Sequence, residues 1–309
     1  MITSVFRKST PLNFSMVVIL MLVFFLIFQF QDLSWTKSNL SVLTTIGLFC
    51  LLSFSIFITS FIARRNGLSK DSAFTIFFFF LFLLFFPSVL NNANLIIANF
   101  FILLAIRRLI SLQSLKAAKE KIFDASFWIF VATLFHFWSI LFILLVFISI
   151  IFHVARDYRN WFLPFIALAS AMILFLIYAS IFHIDSLAFF SKNFKTSFEI
   201  DYFTTNYQNG AFAVYATIAL FFIVSSFTTL STKPQILQAS FKKIIASFFI
   251  AVLIYVVSPN KSNDLLLFTF APLAIMTCSH IEMKQLKLNQ EIVIYALTVC
   301  SMFAFFSQL

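Results

Sequence analysis

Residues 87–159 read PSVLNNANLIIANFFILLAIRRLISLQSLKAAKEKIFDASFWIFVATLFHFWSILFILLVFISIIFHVARDYR. The path of this stretch through a bilayer fixes the sidedness of all that follows. Three asparagines, Asn91, Asn92 and Asn94, stand between two apolar runs. A short apolar segment (94–106), the most basic loop of the chain (107–124) and a long apolar run with His136 near its middle come next. As one helix, 122–154 would be about 50 Å long against a hydrocarbon core of about 30 Å, beyond any ordinary tilt. Two short helices turning at His136-Phe137-Trp138-Ser139 fit. Charge gives a second argument. With the turn, the basic residues of 156–159, 233–243 and 284–287 all face the cytoplasm; without it they all face outward, against the positive-inside rule.

Composition sets the class. The 309 residues are 62% hydrophobic and 10% charged, whereas a soluble domain is about half apolar and a quarter charged. Apolar runs long enough to span a bilayer recur throughout. The net charge of +10 sits in the gaps between those runs, where orientation signals and anionic head groups place it, so nucleic acid is not the expected partner. Cys50, Cys278 and Cys300 lie inside apolar segments without paired spacing and read as small buried hydrophobes. With 49 Phe and only 3 Gly there is no GxxxG pair, so close helix contacts fall to Ala and Ser.

The expected fold is all-α: a single polytopic transmembrane domain over 1–309, with about 11 spans at 12–30, 41–63, 73–90, 94–106, 122–136, 139–154, 161–182, 211–229, 244–257, 265–278 and 291–309. The N-terminus is cytoplasmic and the C-terminus extracytoplasmic. Lys37, Lys192, Lys195 and Lys261 then lie outside and the other 17 of the 21 Lys and Arg inside, in a bacterial inner membrane. In loop 107–124, Lys116 and Glu120 are spaced to pair on a surface helix. In the outer loop 184–210, Leu187, Phe190, Phe194 and Phe198 share one helical face, which predicts an interfacial amphipathic helix; Tyr202, Phe203 and Tyr207 follow as an aromatic anchor.

No Asp, Glu, Lys or Arg falls well inside these spans, which disfavours an ion-coupled transporter. Segments 94–106 and 122–136 look too short to reach the outer head groups. The asparagine turn and the hairpin tip would then line a wet recess, the setting in which irregular backbone is tolerated at membrane depth. Outer loops supply Asp32, Lys37, Asp185, Glu199, Asp201, Lys261 and Asp264 around it. Each candidate has a structural alternative. Asp32 is a general base or a solvated acid; Asn91 and Asn92 bind substrate or, with Asn94 as N-cap, only start a helix. His136 is a ligand or a hydrogen-bonded structural histidine. The segment Ser258-Pro-Asn-Lys-Ser-Asn-Asp264 is a plain turn, or places Lys261 to hold a phosphate with Asp264 beside it. No Gly-rich phosphate loop, HExxH, CxxC or GxSxG occurs, and neither a metal nor a cofactor is expected.

LNNANLIIANFFILLAIRRLISLQSLKAAKEKIFDASFWIFVATLFHFWSILFILL and SPNKSNDLLLFTFAPLAIMTCSHIE resemble an uncharacterised multi-pass membrane family of Bacteroidota, the domain of unknown function 6427. That likeness implies no activity. A looser likeness is to the GT-C superfamily of integral-membrane glycosyltransferases, carried by Asp32, the 94–138 region, 187–198, and Lys261 with Pro272. It implies transfer from a polyprenyl-phosphate sugar at the outer face in envelope glycan or glycolipid assembly. Asp32 would be the base, Lys261 would hold phosphate, and Asn91, Asn92, His136 and Asp264 would contact substrate. The alternatives are a non-catalytic membrane subunit of an envelope complex that docks a protein partner, and a transporter of lipid-linked intermediates. Besides the bilayer, anionic lipids are expected at Arg107, Arg108, Lys116, Lys119 and Lys121.

Overall fold

A computed structural model describes residues 5–183, 185–198, 206–259, 261–283 and 287–309. Among them the chain is all-α: α1 (Pro11–Gln29), α2 (Asn39–Arg65), α3 (Phe74–Leu84), α4 (Ala93–Ile110), α5 (Ala118–Thr133), α6 (Ile143–His153), α7 (Arg159–Ile181), α8 (Ser186–Asn193), α9 (Asn206–Thr228), α10 (Gln235–Val257), α11 (Leu267–Ile281) and α12 (Lys287–Ser307). Short 3-10 turns at Pro87–Asn91, Phe137–Phe142 and Asn263–Leu266 interrupt the apolar runs. Eight helical segments are long and apolar enough to cross a membrane, and two shorter apolar ones, Phe74–Leu84 and Phe137–His153, accompany them.

A helix that is apolar all round gains most from the centre of a bundle. Helix α3, FTIFFFFLFLL, has every one of its 11 residues buried. It packs against α11, whose segment is 89% buried, while α7 at the periphery is only 22% buried. On α7, Phe162, Phe165, Ile173, Leu174 and Ile177 are exposed. In water such a face would drive association; in a bilayer it is matched by lipid tails. Where helices approach closely, small residues line the contact. Ala167 and Ala171 of α7 meet Phe130 of α5, and Ala98, Ala105, Ala125 and Ala132 are buried on α4 and α5. Of the three free cysteines only Cys278 is buried. Cys50 is exposed on α2, a correction to the expected buried set, because an apolar run alone does not say which face meets lipid.

The run 122–154 is broken, not a rod. Helix α5 ends at Thr133, a 3-10 turn spans Phe137–Phe142, and α6 carries the chain back. The ion pair Lys119–Asp157 at 3.3 Å brings the start of α5 and the loop after α6 to the same end of the bundle. Arg108–Asp124 at 2.8 Å and Arg64–Asp71 at 2.6 Å mark that basic end too. At the opposite, asparagine end, the Gln29 amide donates to Asn91 Oδ1 (2.6 Å), Gln31 to the Leu309 carbonyl (2.9 Å) and Gln308 to the Phe85 carbonyl (2.8 Å). The C-termini of α1, α3 and α12 therefore gather there with the start of α4.

Several helices outrun their apolar stretches, because hydropathy marks only the part of a helix free of polar groups. Helix α4 has 18 residues and includes Arg107 and Arg108 in its last turn, so the segment expected to be short over 94–106 is not. Its N-cap is Asn92, whose Oδ1 accepts from Leu95 N at 3.3 Å, rather than Asn94. Lys116 and Glu120 form no ion pair among the described residues. Leu115 and Ala117 take left-handed backbone (φ 55 and 50), so α5 starts only after them. In the 184–210 loop, α8 ends at Asn193, before Phe194 and Phe198, which are both exposed. Glu199, Asp201, Tyr202, Phe203 and Lys284 lie outside the described residues, as do the side chains of Leu187, Phe190 and Lys192.

Candidate functional site

Pro87 has no N–H to donate, and the apolar helix before it stops at Leu84. The chain then makes the 3-10 turn Pro87–Asn91 and re-enters as α4 on the Asn92 cap. Because that turn lies beside Asn263–Leu266, residues far apart in sequence meet. The Ser88 hydroxyl donates to Asp264 Oδ1, and the Asn92 amide donates to Asp264 Oδ2 at 3.2 Å. Asp264 is buried at 9% exposure, and none of the ion pairs among the described residues involves it. Its charge is balanced by neutral donors, an arrangement that holds a carboxylate in place without consuming a cation.

Two recesses open around this turn. One, of about 420 Å³, is lined by Ser88, Asn91, Asn92, Ala93, Asn94 and Asp264. The other, of about 330 Å³, is lined by residues that include Gln29, Asp32, Trp35, Thr44, Thr45 and Asn91. Asn91 and Ala93 belong to both. Of the residues singled out from sequence, Asp32, Asn91, Asn92 and Asp264 are thus brought to one place. Two others are not. Lys261 is buried at 6% exposure, with its ammonium donating to the Ser197 carbonyl. His136 is half-buried, with Nε2 at 3.1 Å from Ser258 Oγ and its ring centroid 5.8 Å from that of Phe268. Both line neither recess and act as ties between the end loops.

Sequence reasoning missed Ser88, which has no motif, and Gln29. The latter had a legible signal, an amide closing an otherwise apolar run; it is buried and orients Asn91. Asn92 has two jobs, capping α4 and donating to Asp264. Asn92→Ala should therefore lower stability by about 0.5–2 kcal/mol from the lost cap alone. An unchanged unfolding midpoint in detergent would remove that role.

A second polar cluster stands at the basic end, just before the span expected over 244–257. Lys243, nine residues into α10, is fully buried. Its ammonium donates to the Leu109 carbonyl (2.6 Å) and lies 3.0 Å from His153 Nε2. The Leu109 carbonyl is in the last turn of α4, where helix carbonyls lack intrahelical donors and the dipole favours a cation. One turn from Lys243, the Ser240 hydroxyl donates to Gln113 Oε1 at 2.9 Å. The group joins three helices at the basic end. Apolar residues follow Lys243 directly, so hydropathy begins the span one residue after it.

Residues 7–309 match the model of a family described as a family of unknown function (DUF6427). No curated protein and no solved structure matches the chain.

Proposed function

The chain belongs to the DUF6427 family, whose function is unknown; we propose that its activity lies at the asparagine end, as a GT-C-like glycosyl transfer in bacterial envelope assembly. The observation that carries the reading is the pair of adjacent recesses, both lined by Asn91, one holding Asp32 and the other Asp264. Asp32 takes the proton of an acceptor hydroxyl. The freed oxygen attacks the anomeric carbon of a polyprenyl-phosphate sugar, the sugar–phosphate C–O bond breaks, and the phosphate leaves with the electron pair. Asn91, Asn92 and Asp264 hydrogen-bond sugar hydroxyls, while Lys261 and His136 fix the surrounding loops. In a strain lacking the protein, the lipid-linked sugar pool should rise and one envelope glycan should be lost. Unchanged pools and glycans would overturn the reading.

In this reading the eight long helices, the two shorter apolar ones and α5 make about eleven crossings of the inner membrane. The basic end faces the cytoplasm, following the positive-inside rule. Ser9 lies on that side, its N–H on the Asp71 carbonyl at 3.2 Å, and Leu309 lies on the other. A single cysteine at Lys116→Cys should label with an impermeant thiol reagent only after the inner face is exposed. Labelling of intact cells would reverse the orientation.

A non-catalytic subunit is the second reading, favoured by the filled core beneath the recesses. Every residue of α3 is buried, and cavities of about 330 and 420 Å³ are small for a lipid-linked substrate. Loss of a partner complex with intact glycan pools would select it.

A further inference from the structure

A further cavity lies at the opposite end from the recesses. It is about 850 Å³ in volume and opens along the C-terminal half of α2. The start of that helix, at Thr44 and Thr45, lines the asparagine-end recess, and its 27 residues span about 40 Å. The two sites are therefore at opposite ends of one rod.

Two kinds of wall meet in this cavity. Phe14, Phe54, Phe57 and Phe61 supply an aromatic side, with Phe14 and Phe57 stacked at 5.8 Å. Arg64, Arg65, Lys70 and Arg107 supply four cations against the single carboxylate of Asp71. Arg64 pairs with Asp71, and the Lys70 ammonium donates to the Glu282 carbonyl at 2.9 Å. Neither Arg65 nor Arg107 forms an ion pair among the described residues; Arg107 sits over the Phe61 ring at 5.0 Å. The cations stand together because of one turn. Gly67, at φ +71, ends α2 with its N–H on the Arg64 carbonyl (3.2 Å), while Leu68 N reaches the Ala63 carbonyl (2.8 Å). That left-handed residue sends Ser69, Lys70 and Asp71 back over the helix end.

Buried hydroxyls point to an occupant. Ser60 is 2% exposed and lines the cavity, yet its Oγ has no hydrogen-bond partner among the described residues; Ser69, half-buried in the same lining, has a buried Oγ that also lacks one. A buried hydroxyl without a partner is costly, and a ligand oxygen would relieve it. Depth identifies the ligand class. From Phe54 to Arg64 the helix rises about 15 Å, half of a hydrocarbon core of about 30 Å and so the depth of one leaflet. Ser60 lies one turn below Arg64, at the level of ester oxygens when the phosphate is held by the arginines.

We propose that this cavity binds one anionic phospholipid of the leaflet on the basic side, its phosphate between Arg65 and Arg107 and its acyl chains along Phe54 and Phe57. This goes beyond the proposed activity and does not depend on it, since the site lies at the other end of α2. The loop cations at Lys116 and Lys119 are outside the cavity and attract anionic surfaces without selecting a single lipid.

The test is lipid retention by the purified full-length protein in mixed phosphatidylglycerol–phosphatidylcholine micelles, read by native mass spectrometry. One tightly retained phosphatidylglycerol per chain is expected, in preference to phosphatidylcholine. Arg65→Gln with Arg107→Gln should weaken that retention by about 30-fold, the effect of removing two cations at an anionic head group. Lys116→Gln with Lys119→Gln should leave it unchanged. Free glycerol phosphate at the same concentration should not compete, because it lacks the chains. Equal retention of the two lipids by the native protein would overturn the proposal without any variant. So would loss in the loop variant instead of the cavity variant, or competition by glycerol phosphate, which would mark a simple phosphate site. None of these readouts involves glycan transfer, so this proposal and the proposed activity fail separately.

Discussion

Asp32→Asn should leave the protein folded and lower glycosyl transfer by about 10²- to 10⁴-fold, the usual share of a general base. The substitution keeps the shape of the side chain and removes its capacity to take a proton. Asp32 is exposed and lines its recess, so the change creates no buried defect. Asp264→Asn is the contrasting variant. Both Asp264 oxygens accept from neutral donors, Ser88 and Asn92. An amide there turns one acceptor into a donor facing another donor, so the loss should appear in stability as well as in transfer. Envelope-glycan synthesis in a complemented null strain, at matched protein levels, separates the two. Full synthesis with Asp32→Asn removes the assigned base.

Phe86→Ala should be the most damaging change to the fold. Phe86 is fully buried, with its ring 5.2 Å from Tyr215 and stacked at 6.2 Å on Phe270. In a membrane the unfolded reference state also surrounds the side chain with hydrocarbon, so the transfer contribution largely drops out and packing remains. A residual cavity of about 100 Å³ at about 24 cal/mol per Å³ gives a loss of about 2.4 kcal/mol. Phe162→Ala removes the same ring from the exposed face of α7 and should fall within about 0.5 kcal/mol of the native protein. Chemical unfolding in mixed micelles measures both. Equal costs at the two positions would mean that α3 and its neighbours are not the packed centre.

Some of the asparagine-end site was readable and some was not. Asn91, Asn92 and Asp264 stood out as polar residues flanking apolar runs, and all three line one recess. That Asp264 would be held by Ser88, 176 residues away, could not be read, because a lone serine beside a proline carries no periodicity or motif. Lys261 is followed closely by an apolar run, which made it look like the free cation of that end. Its ammonium instead holds the Ser197 carbonyl, a backbone partner that has no side-chain signature in the sequence.

Length and charge alone determined that the chain is helical and membrane-embedded, and that 122–154 must turn back on itself, because bilayer thickness is a fixed ruler and basic residues mark one side of it. Which helices lie at the centre was decided only by the tertiary structure. Lipid tails are as apolar as leucine, so apolar character alone does not separate α3, which is wholly buried, from α7, which is largely lipid-facing. The same physics hid Lys243. Its burial depends on an open carbonyl at the end of α4, and such a partner exists only once the helices have been placed side by side.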